Sequence, residues 1–146
     1  MRNIILYILT TGLLIAISSC CTKKNCGGFE DINKIQLLNF TPNDVDSIAF
    51  ETFVSGSNFT DRIDNSFTNA HGRGTGDTAL FIFMPQNISK SHEYKITLLS
   101  TGQVYQLANF MIRKEECNCP SDKYNVLDSY VVNGQKVYSN SLTISK

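Results

Sequence analysis

Apolar and polar residues alternate with a period of two along much of this 146-residue chain, and this alternation restricts its fold more than any other feature. The clearest runs are residues 48–54 and 94–98. Successive side chains of a strand point to opposite faces of the sheet, so a period of two indicates half-buried strands. Beyond residue 20, no stretch of twelve or more residues has the spacing of an amphipathic helix. The pattern therefore predicts an all-β domain.

Turn signals separate the candidate strands and set their number. Asn133-Gly134 is the strongest of them, and it predicts a two-residue type I′ hairpin turn that pairs Tyr130 with Val137 and Val132 with Gln135. The spacing of strands and turns predicts an antiparallel β-sandwich of seven to eight strands. The other candidate strands are residues 34–40, 59–63, 79–84, 104–112, 124–132 and 135–144.

Two of these strands have unusual patterns. Residues 79–84 are apolar on both faces and are followed by Pro85, which predicts a central strand covered on both sides. Residues 104–112 fit neither the strand period nor the helix period, so we expect a bulge or a short helix there.

Length and composition exclude several classes of protein. A chain of 146 residues is long enough for one domain with a hydrophobic core and short for two. Its 42% hydrophobic content argues against disorder. The 13 basic residues balance 13 acidic ones, whereas proteins that bind nucleic acid carry a basic excess. We therefore expect no nucleic acid partner.

The first twenty residues have the three-part layout of a secretory signal. A basic start at Arg2 precedes fourteen uncharged, mostly apolar residues from Ile4 to Ile17, and small residues follow before Cys20. We therefore expect a signal peptide with an N-terminal helix over residues 1–19, a tether over 20–30, and the β-sandwich domain over 31–146.

The end of this segment, Ile17-Ser18-Ser19-Cys20, resembles the bacterial lipobox. The resemblance implies that the thiol of Cys20 receives a diacylglycerol, that the peptide is cut before it, and that the membrane is a partner through this lipid. Two other interpretations remain open. Residues 3–22 are twenty uncharged residues that roughly span a bilayer, and Cys20 can also follow an ordinary secretory signal by coincidence.

A looser resemblance covers most of the chain. A lipobox, a cysteine-bearing linker, the run Glu93-Tyr94-Lys95-Ile96 and the late Val132-Asn133-Gly134 hairpin resemble small Bacteroidota-type lipoproteins. The resemblance implies an immunoglobulin-like or transthyretin-like sandwich in the cell envelope. The residue after Cys20 is Cys21, whereas the best-known signal for retention in the inner membrane has Asp at that position. Residues 22–25 also lack the acidic residues of the signal that exports such lipoproteins to the cell surface. We therefore expect an anchor in the outer membrane, on its periplasmic face.

Export makes disulfides the default state of the other cysteines, Cys21, Cys26, Cys117 and Cys119. Cys117 and Cys119 cannot easily close on each other, because residues two apart in an extended chain point the same way. We expect a bridge from the N-terminal pair to the C-terminal pair, with Cys26 the better partner because Cys21 adjoins the lipid. Connectivity stays open. Four thiolates could also bind zinc, but the spacing departs from C-x₂-C, and we expect no metal.

The sequence contains no catalytic constellation that we can identify. The glycine-rich stretch from His71 to Asp77 is not followed by Gly-Lys-Ser/Thr, so we interpret it as an inter-strand loop with Arg73 and Asp77 as candidate binding residues. There is no G-x-S-x-G and no H-E-x-x-H. We therefore expect no catalytic residue, no cofactor and no enzymatic activity.

These observations favour a non-enzymatic envelope lipoprotein whose sandwich binds an envelope protein or serves as a structural subunit. A glycan-binding surface is less favoured, because the chain has no Trp and several of its few Tyr residues fit the core pattern. The alternative from another class is a small envelope hydrolase with a cryptic site, built from His71, Asp77 and another acid.

Overall fold

A computed structural model describes residues 26–71, 80–117 and 123–146 of the chain. Within these residues there are ten strands, two short 3₁₀ turns (Phe29–Asp31 and Pro42–Val45) and no α-helix. The strands are β1 (Lys34–Leu38), β2 (Ile48–Val54), β3 (Arg62–Thr68), β4 (Ala70–His71), β5 (Leu80–Phe83), β6 (His92–Leu98), β7 (Val104–Glu116), β8 (Lys123–Val132), β9 (Gln135–Tyr138) and β10 (Leu142–Ser145).

The strands form two sheets, which confirms the predicted all-β sandwich. One sheet has the order β10-β1-β5-β4 and the other the order β3-β2-β6-β7-β8-β9. Two details differ from the expectation of seven to eight antiparallel strands. The described residues contain ten strands, and β1 pairs with β10 in parallel, with Ile35 opposite Leu142.

The extra strands arise where the backbone leaves one sheet for the other. The predicted strand 135–144 is interrupted around Ser139–Ser141, because β9 lies at the edge of the six-stranded sheet and β10 at the edge of the four-stranded one.

The predicted strand 59–63 begins too early in the sequence. Asn58 and Phe59 have φ of 58° and 61°, which makes a turn, and β3 begins only at Arg62.

Strand β5 does lie between two neighbours, but the prediction that both its faces are covered is wrong. Leu80 and Ile82 are buried, whereas Phe83 is 46% exposed. This outer face is only partly covered, since the Lys34 ammonium lies 5.2 Å from the centre of the half-buried Phe81 ring there. Apolar residues on both faces therefore indicate exposed apolar surface here, not double burial.

The irregular pattern of residues 104–112 has a local cause within a long strand. Leu107 and Ala108 are consecutive and both buried, and Asn109 has a φ of 54°. Strict alternation places one of two neighbouring side chains outside, so the strand is irregular at this point, as a bulge is. No helix forms there.

The core lies between the two sheets and is built from the alternating residues. Tyr94, Ile96 and Leu98 of β6 are fully buried, as their period of two predicts. An aromatic cluster crosses the core, in which the Phe110 ring lies 5.8 Å from that of Tyr94 and 6.2 Å from that of Tyr130. This rigid core fixes the positions of the edge strands and turns around it.

The predicted hairpin is confirmed in its turn and in its register. Asn133 and Gly134 have φ of 48° and 82°, the left-handed values that a type I′ turn requires. Tyr130 pairs with Val137, and Val132 with Gln135. The turn therefore fixes which residues of β9 face the space between the sheets.

The chain divides into two compact units, which we describe separately. The sandwich comprises 27–113 and 125–146. Phe29, which the sequence places in the tether, is buried in its core. The described part of the other unit contains Cys26, which is joined to Cys117 by a disulfide with Cα atoms 6.1 Å apart. This bridge joins an N-terminal to a C-terminal cysteine, as expected.

Candidate functional site

Most of the residues singled out in the sequence lie outside the described residues. This holds for the signal segment 1–19, the lipidation candidate Cys20, the disulfide candidates Cys21 and Cys119, and the loop residues Arg73 and Asp77. His71 ends strand β4, where it lies in register with Phe81. Within the described residues, no helix has the length and apolar character needed to cross a bilayer.

A cleft of about 300 Å³ lies between the β8–β9 hairpin and strand β10. The cleft lies where the two sheets diverge at their edges, since β9 and β10 are edge strands of different sheets. Its lining has no charged side chain. The lining residues are Tyr105, Val132, Asn133, Gln135, Val137, Thr143, Ile144 and Ser145.

Asn133 makes one wall of this cleft rigid. Its side-chain oxygen accepts a hydrogen bond from the backbone N–H of Gln106 (2.8 Å), and its amide nitrogen donates to the carbonyl of Val104 (3.2 Å). Its own backbone N–H donates to the carbonyl of Gln106 (2.9 Å). The turn is therefore fastened to β7, and the Asn133 side chain is occupied by these contacts.

Tyr105 forms the inner part of the cleft and is only 8% exposed. Its ring packs edge-on against Phe40, with centroids 5.9 Å apart. Burial raises the pKa of the Tyr105 phenol, an effect that the charge of Lys146 opposes. The hydroxyl stays protonated at neutral pH and donates a hydrogen bond to the side-chain oxygen of Gln103 (3.4 Å).

Lys146 and Asp44 form an ion pair near the cleft. The Lys146 ammonium lies 2.9 Å from a carboxylate oxygen of Asp44. This contact and the hydrogen bonds from Thr41 lower the pKa of Asp44 to about 2. The carboxylate is thus ionised at neutral pH and is not available as a general acid.

The other acids with strong contacts also hold structure in place. The carboxylate oxygens of Glu51 form ion pairs with the Lys95 ammonium (2.6 Å) and the Arg62 guanidinium (2.8 Å). These contacts lower the pKa of the Glu51 carboxyl group. The buried Glu93 carboxylate accepts hydrogen bonds from the backbone N–H groups of Gly56 (2.9 Å) and Phe59 (3.1 Å). Glu93 thereby fixes the β2–β3 loop, a role that its place in a strand pattern did not reveal.

A metal centre is not found among the residues that the structure describes, because no three His, Cys, Asp or Glu residues come together there.

His92 is the first residue of β6, and its ring lies edge-on to that of Tyr94, with ring centroids 6.2 Å apart. Its Nδ1 atom is buried without a hydrogen-bond partner. This environment is that of a packed histidine.

A smaller cavity of about 190 Å³ lies at the other end of the sandwich. Phe29, Ile88 and Ile112 contribute its apolar lining, and Asn125 donates a hydrogen bond to Glu30 across it (3.0 Å). This cavity lies beside the point where the chain enters the sandwich.

No protein-family model, curated protein sequence or solved structure matches this chain.

Proposed function

We propose that this chain is a lipid-anchored envelope protein whose sandwich binds another envelope protein and does not catalyse a reaction. The lipid on Cys20, and an anchor on the periplasmic face of the outer membrane, follow from the resemblance of Ile17–Cys20 to a lipobox and from the residues after it. The binding role is supported by the geometry of the cleft.

The placement of the cleft is the observation that carries this proposal. The chain enters the sandwich near Phe29 and Asn125, whereas the cleft adjoins the Asn133–Gly134 turn at the other end of β8. Strand β8 separates the two ends by roughly 25 Å at about 3.3 Å per residue. Within the sandwich, the cleft therefore lies at the end of β8 that is remote from its first residues.

The surroundings of the cleft suit binding better than chemistry. Its floor is apolar, one wall is fixed by the contacts of Asn133, and its flanking acid Asp44 is held ionised by Lys146. A preformed apolar cleft with a few polar groups can receive an apolar side chain of a partner protein, as pockets in protein interfaces do. The strongest carboxylate contacts in the described sandwich stabilise loops and strands.

The lipid anchor is tested by a substitution at Cys20. We expect a Cys20→Ala chain to remain uncut and to incorporate no labelled fatty acid, because the acceptor thiol is gone. A Cys21→Ala chain is the matched control and should be processed and labelled normally. Normal processing and labelling of Cys20→Ala would refute the anchor.

The binding role is tested by crosslinking in intact envelopes, followed by mass spectrometry of the captured proteins. The exposed cleft residues Gln135 and Ser145 are each replaced by Arg, and the exposed Asn87, remote from the cleft, is replaced by Arg as the control. We expect a stoichiometric partner that is lost with the cleft variants and kept with Asn87→Arg. A partner retained equally by all variants would exclude the cleft as its site.

A further inference from the structure

Strand β3 is an edge strand whose second half lacks the features that normally prevent pairing with another chain. It lies at the end of the six-stranded sheet. Charges, bulges and proline usually protect such edges. In β3 the charges of Arg62 and Asp64, and the register shift beside Ile63, all lie in its first half. Residues 65–69, Asn-Ser-Phe-Thr-Asn, contain no charge and no proline.

The hydrogen-bond ladder shows which backbone groups of β3 face outward. Leu99 donates to Ser47, and Ser55 donates to Ser91, so the odd-numbered residues of β2 bond to β6. The even-numbered residues of β2 therefore bond to β3, where Phe50 lies opposite Ser66. It follows that the N–H and C=O groups of Asn65 and Phe67 point away from the sheet.

One side chain of this segment favours association with another chain. Phe67 is 73% exposed, among the most exposed large apolar side chains of the described residues. An exposed aromatic ring on an open edge favours such contacts.

We propose that β3 of one chain pairs antiparallel with β3 of a second copy of this chain, around a two-fold axis that passes beside Ser66. In this register Asn65 lies opposite Phe67 of the second copy, and each of these residues contributes its outward N–H and C=O to the new ladder. Ser66 lies opposite Ser66 of the second copy. The two six-stranded sheets then form one continuous sheet.

This register suits the side chains of the segment. The two small Ser66 side chains are directly opposed, so neither hinders the close approach of the two strands. The two Phe67 rings become diagonal neighbours, a separation that aromatic side chains can span. Asp64 lies opposite Thr68 of the second copy, so no like charges are directly opposed.

The alternative two-fold register, centred on Asn65, is less suitable. It requires the backbone of Ile63, which lies at the register shift between β2 and β3. It also brings the Asp64 carboxylates of the two copies into diagonal positions, where like charges repel. The register centred on Ser66 uses only the regular half of the strand.

The pairing is expected to be weak between dilute chains and favoured between chains held on one surface. A short strand edge buries less area than the roughly 1,200 Å² of standard stable interfaces. Confinement to a membrane, which the proposed lipid anchor would supply, raises the effective concentration. The pairing itself is independent of the anchor and is testable with purified full-length chain at high concentration.

The register is tested by a Ser66→Cys substitution in the full-length chain, followed by mild oxidation and non-reducing electrophoresis. Opposed residues of a non-hydrogen-bonded pair have Cα atoms about 4.5 Å apart, within the range of a disulfide. Thr68→Cys is the matched control, because the two copies of residue 68 are offset by roughly 13 Å along the strands. The wild-type chain measures crosslinking by the native cysteines.

We expect severalfold more crosslinked dimer from Ser66→Cys than from Thr68→Cys or wild type, in purified chain and equally in a Cys20→Ala background. Equal crosslinking of the two cysteine variants, or none, would overturn the pairing. Absence of lipid labelling in the chain that keeps Cys20, with retained crosslinking, would refute the anchor alone, so the two proposals fail separately.

A second substitution tests the edge through its effect on the rate of crosslinking. In the Ser66→Cys background, Phe67→Lys places like charges on diagonal positions and should slow crosslinking severalfold. Val104→Lys, at an exposed position of the same sheet, should leave the rate unchanged. Both substitutions are at exposed sites, and circular dichroism is used to check that each variant keeps the fold. An unchanged rate with Phe67→Lys would overturn the proposal.

Discussion

The hydroxyl of Tyr130 forms hydrogen bonds with both the backbone carbonyl and the backbone N–H of Thr143. It donates to the Thr143 carbonyl (3.0 Å) and accepts from the Thr143 N–H (2.8 Å). Tyr130 lies in β8 of the six-stranded sheet, and Thr143 lies in the edge strand β10 of the four-stranded sheet. One side chain thus links the two sheets and covers part of an open edge beside the cleft.

We expect Tyr130→Phe to destabilise the fold by about 1–3 kcal/mol, because it leaves a backbone donor and acceptor without their partner while the ring packing is kept. Urea denaturation measures the change in free energy of unfolding. Tyr138→Phe is the control, since this tyrosine is 73% exposed and should change the stability little. Equal stability of Tyr130→Phe and wild type would show that water replaces the hydroxyl.

Removal of the Glu93 carboxylate should loosen the β2–β3 loop selectively. Glu93→Ala leaves the N–H groups of Gly56 and Phe59 without their acceptor, and we expect a loss of about 1–3 kcal/mol in stability. Amide hydrogen exchange at these two residues should accelerate. Asp61→Ala, at an exposed position in the same loop, should leave exchange at Gly56 unchanged. Unchanged exchange in Glu93→Ala would contradict this role.

Acid should weaken the fold through Asp44 and Glu51. Their pKa values in the folded chain are lowered, that of Asp44 from 3.8 to about 2, so their ion pairs stabilise the fold above the unfolded pKa values. This stabilisation is lost as protons bind on acidification. We expect the free energy of unfolding to be nearly constant from about pH 7 to 5 and to fall between about pH 5 and 2.

Asp44→Asn is the variant that separates the contribution of this residue. Its free energy of unfolding should be lower than that of wild type at neutral pH and should depend less on pH in the acid range. Nuclear magnetic resonance titration of the Asp44 carboxyl group reports its pKa directly. A titration midpoint near the unfolded value would contradict the contact with Lys146.

The disulfide between Cys26 and Cys117 spans a separation of 91 residues. Its removal by the double substitution to Ser should lower the free energy of unfolding by about 4.5 kcal/mol on the chain-entropy model, with native-state strain reducing this value. Thermal denaturation, together with mass analysis before and after reduction, measures the effect. Cys119→Ser should retain both the bridge and the stability, and a loss in that variant would contradict the pairing.

The sequence predicts the sandwich well where one face of a strand is buried. The alternation around Tyr94 and the Asn133-Gly134 turn each depend on neighbouring residues, and both have the expected burial and register. The parallel pair of β1 and β10 could not be predicted in this way. It joins Ile35 to Leu142, and local pattern carries no information on which distant strand will lie alongside.

The cleft was not predicted, because its parts are far apart in sequence. Tyr105 and Ile144 look like ordinary core residues, and only the divergence of the sheet edges creates space between them. The structural role of Glu93 was missed for a similar reason. A carboxylate in an alternating strand suggests a solvent-exposed position, and its burial follows from loop amides that the strand pattern does not include.

The parallel pairing of β1 with β10 also dictates the order in which the domain can be completed. During synthesis β1 is made early, but the strand that lies beside it at Leu142 is made after all the other described strands. Contacts so distant in sequence slow folding. A chain that emerges from its N-terminus therefore keeps the four-stranded sheet unfinished, with one side of β1 unpaired, until its C-terminal strand follows.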